Sequence, residues 1–82
     1  MELKETISMM TSEDDKERFK GEYLQLKIRI EKLSTMLEKY KAETLNFTPS
    51  TSYELLFEQL IYMKNYLQVL KKRAEIENIN IE

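Results

Sequence analysis

The sequence predicts an all-α fold, an antiparallel two-helix hairpin with a short N-terminal helix, because two apolar ladders of equal length flank a short break. Within each ladder the apolar residues alternate at intervals of four and three, which places them along one side of an α-helix. The chain is 34% charged and contains one glycine and one proline, a composition typical of long helices. The first seam is Phe19, Tyr23, Leu26, Ile30, Leu33, Leu37 and Tyr40, and the second is Tyr53, Leu56, Leu60, Met63, Leu67, Leu70 and Ala74.

Residues 1–10 form a short helix at best. Leu3, Ile7 and Met10 follow the i, i+4, i+7 pattern of an amphipathic helix. A helix this short persists only when it docks on another surface. Two interpretations therefore stay open, a frayed end and a docked helix.

The first long helix is predicted over residues 12–41. Thr11 or Ser12 can cap its free amides, and the acids that follow suit the positive end of the helix dipole. Gly21 interrupts the helix interior, where glycine costs on the order of 1 kcal/mol relative to alanine. It either permits close approach of a neighbouring backbone or ligand, or is merely tolerated.

A turn is predicted over residues 42–51, and the second long helix over residues 52–77. Pro49 disfavours helical geometry at the preceding residue, and Thr51 with Glu54 matches a capping box. Leu45 and Phe47 are expected to fold back over the end of the hairpin. Residues 78–82 form a tail, which either lies extended across a neighbour or is simply a polar end.

Composition excludes several classes of function. Cysteine and histidine are both absent, which removes disulfides, Cys/His zinc sites and histidine base catalysis. The net charge of −2 argues against binding to bulk nucleic acid, which normally requires a basic excess. No apolar run approaches the ~20 residues of a membrane span, and the start does not resemble a secretory signal. We therefore expect a soluble, cytoplasmic protein without cofactor or metal.

Apolar residues outside the seams predict a homo-oligomer. A lone two-helix hairpin has no use for a second apolar row, so the extra surface calls for other subunits. Leu24 and Ile28 form such a pair on the first helix. On the second helix a parallel row, the outer row, consists of Leu55, Gln59, Tyr62, Tyr66, Val69, Arg73 and Ile76.

Part of the outer row is also a candidate ligand surface. Tyrosine offers a ring that stacks on a base, and arginine offers a planar fork for phosphate. In the hairpin, Arg73 is expected near the start of the first helix, whose free amides favour anions. The same residue types are common in protein–protein interfaces, which is the competing interpretation. The neighbours expected around Arg73 are Lys16, Arg18, Lys20 and Tyr23.

Two strings of helix-face residues carry a family resemblance that covers residues 16–81. The first is Glu22-Tyr23…Leu26…Arg29-Ile30…Lys32-Leu33, and the second is Gln59…Met63…Tyr66-Leu67…Leu70…Arg73-Ala74, preceded by Phe47-Thr48-Pro49. Together they resemble a family of small phage and prophage proteins first noted in crAss-like phages. That family is similar to the helical hairpin of phage anti-CBASS and anti-Thoeris sponge proteins.

The sponge resemblance implies a homo-oligomer, often a hexamer, that sequesters cyclic oligonucleotide signals of bacterial immunity without cleaving them. Sponges bind through a tyrosine directly preceded by glycine, a lysine further along that helix, and an arginine near the end of the next helix. Here Gly21 and Tyr23 stand one residue apart, Lys32 follows, and Arg73 precedes Ala74.

The resulting prediction is a non-enzymatic phage protein that binds a cyclic di- or trinucleotide in the bacterial host cytoplasm. Arg73 is the expected anion contact, Tyr66 or Tyr23 stacks on a base, and Lys20 or Lys32 completes the charge. The alternative is a structural or adaptor hairpin that binds a host or virion protein.

Overall fold

The computed structural model describes residues 1–81, and within that range every regular element is helical. A short 3₁₀ turn, Leu3–Thr6, runs directly into α1, Ile7–Met10. Two long helices follow, α2 over Asp15–Lys41 and α3 over Tyr53–Glu77. Near the connecting turn the rings of Tyr40 and Tyr53 lie 5.6 Å apart, and at the far end Arg73 lies over Phe19. The two long helices are therefore antiparallel, which confirms the predicted all-α hairpin.

The two predicted seams form the core of this hairpin. Five members of the α2 seam and three of the α3 seam are buried, and the others are half-buried. Leu70 is completely buried. Burying a leucine side chain contributes about 1.5–3 kcal/mol, so the paired seams are the main source of stability in a single chain.

The start of α2 differs from the prediction. The carboxylate of Asp14 accepts a hydrogen bond from the backbone N–H of Lys16 at 2.9 Å, and the helix begins at Asp15 rather than at residue 12. Ser12 caps an amide of the preceding turn instead, because its hydroxyl accepts from the N–H of Asp14 at 3.1 Å. The predicted end at residue 41 is confirmed.

The cap of α3 is shifted by one residue relative to the prediction. The hydroxyl of Ser52 accepts from the N–H of Leu55 at 3.2 Å, so Ser52 is the cap and the capping box of Thr51 and Glu54 was wrong. The helix ends at Glu77, as predicted, where Asn78 adopts a left-handed conformation with φ 56°. Asparagine tolerates this geometry better than most residues, which suits it to end a helix.

The tail folds back on its own hairpin. The N–H of Ile79 donates to the carbonyl of Ala74 at 2.9 Å, and Ile79 and Ile81 pack against the core. The alternating apolar residues of the tail thus cover the end of α3 within the same chain. The last residue of the predicted tail, residue 82, lies outside the described part.

The turn covers the hairpin end only in part. Leu45 is half-buried as expected, whereas Phe47 is 54% exposed, so its predicted packing over the hairpin end was wrong. Glu43 takes a left-handed conformation with φ 59° directly after α2. The Glu43 conformation ends α2, and the N–H of Thr44 then donates to the carbonyl of Lys39 at 2.9 Å.

The N-terminal segment, residues 1–12, docks on α2 along a face separate from the seam. A Cβ atom on Gly21 would lie 2.9 Å from both the backbone nitrogen of Met10 and the Cβ of Met9, so the glycine permits a close backbone approach. At the other end of the segment Glu2 pairs with Lys32 at 3.8 Å. The docked interpretation of residues 1–10 is therefore the correct one.

This docking corrects the interpretation of the apolar pair on α2. Ile28 lies between Gly21 and Lys32 on the same helix face and is 8% exposed in a single chain. Leu24 is half-buried and packs against the core. Both were expected to face other subunits, but the chain's own N-terminal segment covers this face of α2.

Candidate functional site

Arg73 and Tyr66, two turns apart on α3, meet α2 near its start. The Arg73 guanidinium carbon lies 4.9 Å from the centre of the Phe19 ring, in a cation–π arrangement. Its Nε donates to the carboxylate of Glu77 at 3.1 Å. The Tyr66 hydroxyl donates to the carboxylate of Glu22 at 2.7 Å, which links the two helices. The expected position of Arg73 beside the start of the first long helix is thus correct.

The hydroxyl of Tyr66 is held in its protonated form. Its hydrogen bond to Glu22 raises the pKa of Tyr66 above 10.0, with partial burial and the Glu22 charge acting in the same direction, while Arg73 opposes them. Like any tyrosine, Tyr66 is protonated at neutral pH and can donate this hydrogen bond, and its ring remains 46% exposed.

A shallow cleft of about 370 Å³ surrounds the Arg73 guanidinium. Its second arginine, Arg18, forms an ion pair with Asp15. Both arginines therefore already have carboxylate partners in the free protein. An incoming anion has to replace those carboxylates, which half-exposed side chains permit at small cost. The cleft is lined by Asp15, Arg18, Phe19, Glu22, Arg73 and Glu77.

None of the other predicted site residues lines this cleft. Tyr23 is 4% exposed and belongs to the core, so its ring has no free face in a single chain. Lys20 is half-buried on α2, next to Phe19. Lys32 pairs with Glu2, and it stands about 20 Å along α2 from Phe19. Only Arg73 and Tyr66 of the predicted set are brought together within one chain.

Sequence reasoning missed the roles of Glu22, Phe19 and Glu77. Glu77 follows Arg73 by four residues, and that spacing on a helix is a usable signal for an ion pair. The hydrogen bond from Tyr66 to Glu22 joins the two long helices. It can be predicted only when the offset of one helix along the other is known to within one turn.

Lys32 contributes to a different cleft, of about 490 Å³, at the turn. Lys39 lies on the same helix face, and the exposed ring of Phe47 forms one wall. This cleft lies at the opposite end of the hairpin from Arg73.

The outer row of α3 is exposed along its whole length. Its apolar and aromatic members are between 46% and 81% exposed, from Tyr66 to Ile76. A groove of about 510 Å³ runs along its first half and ends at Tyr66, whose hydroxyl bonds to Glu22 in the cleft around Arg73. Phe57 and Ile61, which the sequence analysis did not single out, add further exposed apolar surface on other faces of α3.

The described residues contain neither a candidate metal site nor a candidate membrane-spanning helix. Within residues 1–81, no group of three or more acidic side chains is arranged to hold a metal ion. None of the helices in this range is both long and apolar enough to cross a membrane.

Comparison with known proteins places the chain among small phage proteins. The family model described as Sequestin matches residues 13–76. An uncharacterised 7.5 kDa protein from the denB–rIIB intergenic region of Enterobacteria phage T4 is 43% identical over 56 residues, covering 68% of this chain and 83% of the phage protein. No solved structure matches. These similarities support the expected relation to a phage protein family and carry no information on crAss-like phages.

Proposed function

Because the chain belongs to the Sequestin family, we propose that it is a phage protein that sequesters a cyclic di- or trinucleotide signal of bacterial immunity. The family name denotes sequestration, which supports binding without cleavage. The similarity to a phage T4 protein supports action inside an infected bacterium, in the host cytoplasm. The expected likeness to anti-CBASS and anti-Thoeris sponges is the basis for the ligand class.

The pairing of Arg73 with Tyr66 is the observation that carries this proposal. A guanidinium makes two charge-assisted hydrogen bonds to one phosphate, and an exposed tyrosine ring stacks on a base. Tyr66 and Arg73 stand seven residues apart, about 10 Å along α3, so a cyclic nucleotide contacts both when its base and a phosphate lie at opposite ends of that span. Arg18 in the same cleft supplies a second cation for another phosphate oxygen.

Binding requires an exchange of partners at Arg73. The phosphate takes the place of the Glu77 carboxylate, and the Phe19 ring keeps the guanidinium in position beneath it. A phosphodiester has the same single charge as a carboxylate, but it can accept two hydrogen bonds from the guanidinium, whereas Glu77 accepts one, from Nε. Lys20 lies near enough to extend the charge, whereas Lys32 can contact a ligand only when that ligand is bound to another copy.

Retention of the ligand without cleavage fits the residues around Arg73. The chain contains neither histidine nor cysteine, the usual bases and nucleophiles. The carboxylates beside Arg73 are engaged by arginine or by Tyr66.

Thermal melting tests the proposal. The panel is cyclic di-AMP, cyclic GMP–AMP and cyclic tri-AMP. A ligand that binds only the folded state stabilises it by about 2.7 kcal/mol at 100 times its Kd, so we expect at least one member to raise the melting temperature of the wild type.

Arg73→Ala should lose that increase while the oligomer survives. Arg29→Ala is the matched control, since Arg29 is an exposed arginine outside the cleft, and it should retain the increase. If Arg73→Ala binds as the wild type does, or only disrupts the assembly, the assigned site is wrong.

The adaptor function is the second candidate, and the exposure of Phe57 and Ile61 on α3 favours it. Apolar side chains outside the outer row provide a surface that a protein partner would cover. An unchanged melting temperature with every panel member would favour this alternative.

A further inference from the structure

The outer row of α3 has a symmetry that the ligand site does not require. Gln59 and Arg73 each stand seven residues from Tyr66, in opposite directions. Leu55 and Ile76 close the two ends of the row, eleven and ten residues from Tyr66. The spacing of the row is thus nearly the same in both directions from Tyr66, which allows an identical row to pack on it in the antiparallel direction, as a twofold axis requires.

Charge along α3 favours the same direction of pairing. The first half carries a net charge of −1 and the second half a net charge of +1. The charged residues are Glu54, Glu58 and Lys64 in the first half and Lys71, Lys72, Arg73, Glu75 and Glu77 in the second. Antiparallel copies set acidic halves against basic halves, whereas parallel copies set like charges together. Glu77 beyond this basic run is already held by Arg73.

We propose that a second copy of this chain docks its α3 antiparallel on α3, with the twofold axis near Tyr66, and completes the ligand site. In this register the partner's Tyr62 faces Val69, between Tyr66 and Arg73, and the partner's Gln59 faces Arg73. The pairing rests on the exposed row itself, while the completed ligand site rests on the proposed function.

In a single chain only one side of this site is present. Tyr66 offers one ring face to a base, and the surface opposite that face is solvent, since Tyr66 is 46% exposed. The partner's Tyr62 would close the other side of the base, and the partner's Gln59 supplies an amide that recognises base edges or the phosphate. The dimer then holds two equivalent sites, each built from both copies.

Disulfide trapping tests the pairing independently of any ligand, because the chain contains no cysteine. Leu55→Cys and Ile76→Cys are prepared as separate proteins, mixed and oxidised. Both positions are exposed, so the substitutions should leave the fold intact. We expect a disulfide between one variant and the other. Leu55→Cys alone should stay uncrosslinked, since its two copies lie about 30 Å apart in this arrangement. A disulfide between two Leu55→Cys chains, or none in the mixture, would overturn the proposed pairing.

Mixing of binding variants tests the shared site. Arg73→Ala and Tyr62→Ala should each lose the melting shift given by the panel member that stabilises the wild type most. In a one-to-one mixture half the dimers contain both variants, and each of these has one intact site, so about a quarter of the wild-type sites should return. Ile61→Ala, on another face, should bind alone as the wild type does. A mixture that recovers no sites would overturn the shared site.

The two proposals fail separately. If the mixed disulfide forms while no panel member binds the wild type, the pairing stands and the proposed function is wrong. If the wild type binds but the mixed disulfide is absent, the function stands and the pairing is wrong.

Discussion

Tyr66 connects the two long helices through a single side-chain bond, to the carboxylate of Glu22. Because this bond and partial burial both favour the neutral phenol, the pKa of Tyr66 is higher in the folded chain than in the unfolded chain. The contribution of the bond to stability is therefore complete below the unfolded pKa near 10 and is lost as pH rises through the folded pKa.

This linkage predicts a pH-dependent difference between the wild type and Tyr66→Phe. Below pH 9 the wild type should melt at a slightly higher temperature, and above pH 10 the two melting temperatures should converge. Tyr62→Phe is the matched control, because Tyr62 is exposed and has no such carboxylate partner. A constant difference from pH 8 to pH 11 would show that the Tyr66 hydroxyl has no energetic link to Glu22.

Two residues, Glu43 and Asn78, hold left-handed backbone conformations that suit glycine. The left-handed region costs a non-glycine residue roughly 1–2 kcal/mol, and asparagine less than most. We expect Glu43→Gly to raise the free energy of unfolding by about 0.5–1 kcal/mol and Asn78→Gly by less, in urea denaturation. Glu38→Gly, inside α2, should lower it by about 1 kcal/mol. Equal effects at positions 43 and 38 would contradict the assigned backbone geometry.

The sequence predicted single site residues better than it predicted the residues with which they form hydrogen bonds. Arg73 and Tyr66 were predicted because a regular row on one helix contains both. Glu22 could not be paired with Tyr66, since the bond depends on how two helices are offset. Tyr23 was expected at the ligand by resemblance, although its place in the seam already predicted a core position.

Among the elements, the N-terminal segment is the one whose conformation depends most on tertiary contacts. Its regular structure, over residues 3–10, consists only of a 3₁₀ turn and a single α-helical turn, which would not persist alone. Docking on α2 at Gly21 and Lys32 fixes it. The apolar spacing predicted a helix but left its docking open, because a short amphipathic pattern does not name its partner surface.

Gly21→Ala should release this segment without unfolding the hairpin. The added methyl would lie 2.9 Å from the Met10 nitrogen, while alanine favours the α2 helix by about 1 kcal/mol. We expect amide hydrogen exchange at Met9 and Met10 to accelerate about tenfold, with the seam amides of both long helices unchanged. Lys27→Ala, on an exposed part of α2, should change neither. Unaltered exchange at Met9 would contradict the close contact.

The two long helices could be predicted because the helical spacing of the apolar residues continues over nearly the whole length of each helix. Seven apolar residues in register leave one helical solution for each seam, and both helix ends at residues 41 and 77 were correct. The starts were less certain, since serine, threonine and aspartate all cap helices and several of them stand together before each helix.

For the molecule as a whole, the exposed outer row predicts association. Light scattering should return at least a dimer at micromolar concentration, a multiple of the 9.9 kDa chain mass. Leu55→Glu with Val69→Glu should dissociate it, since two charges then occupy the apolar row, while circular dichroism stays helical. Ile61→Glu, exposed on another face of α3, should leave the assembly intact. A mass near 10 kDa at all concentrations would rule out self-association.

The number of subunits in the assembly could not be predicted from the residues. A row of exposed side chains indicates that a surface is covered, but subunit number depends on the angle at which helices cross, which composition and period leave undetermined. The hexamer therefore came only from the resemblance.

The position of the N-terminal segment has a consequence for synthesis. Residues 1–12 leave the ribosome before α2, and the whole contact between them closes within the first 32 residues of the chain. Contacts this local form early, whereas the seam of α2 must wait for α3. One apolar face of the nascent helix is therefore shielded while the other is still exposed, which reduces the surface through which two unfinished chains can associate wrongly.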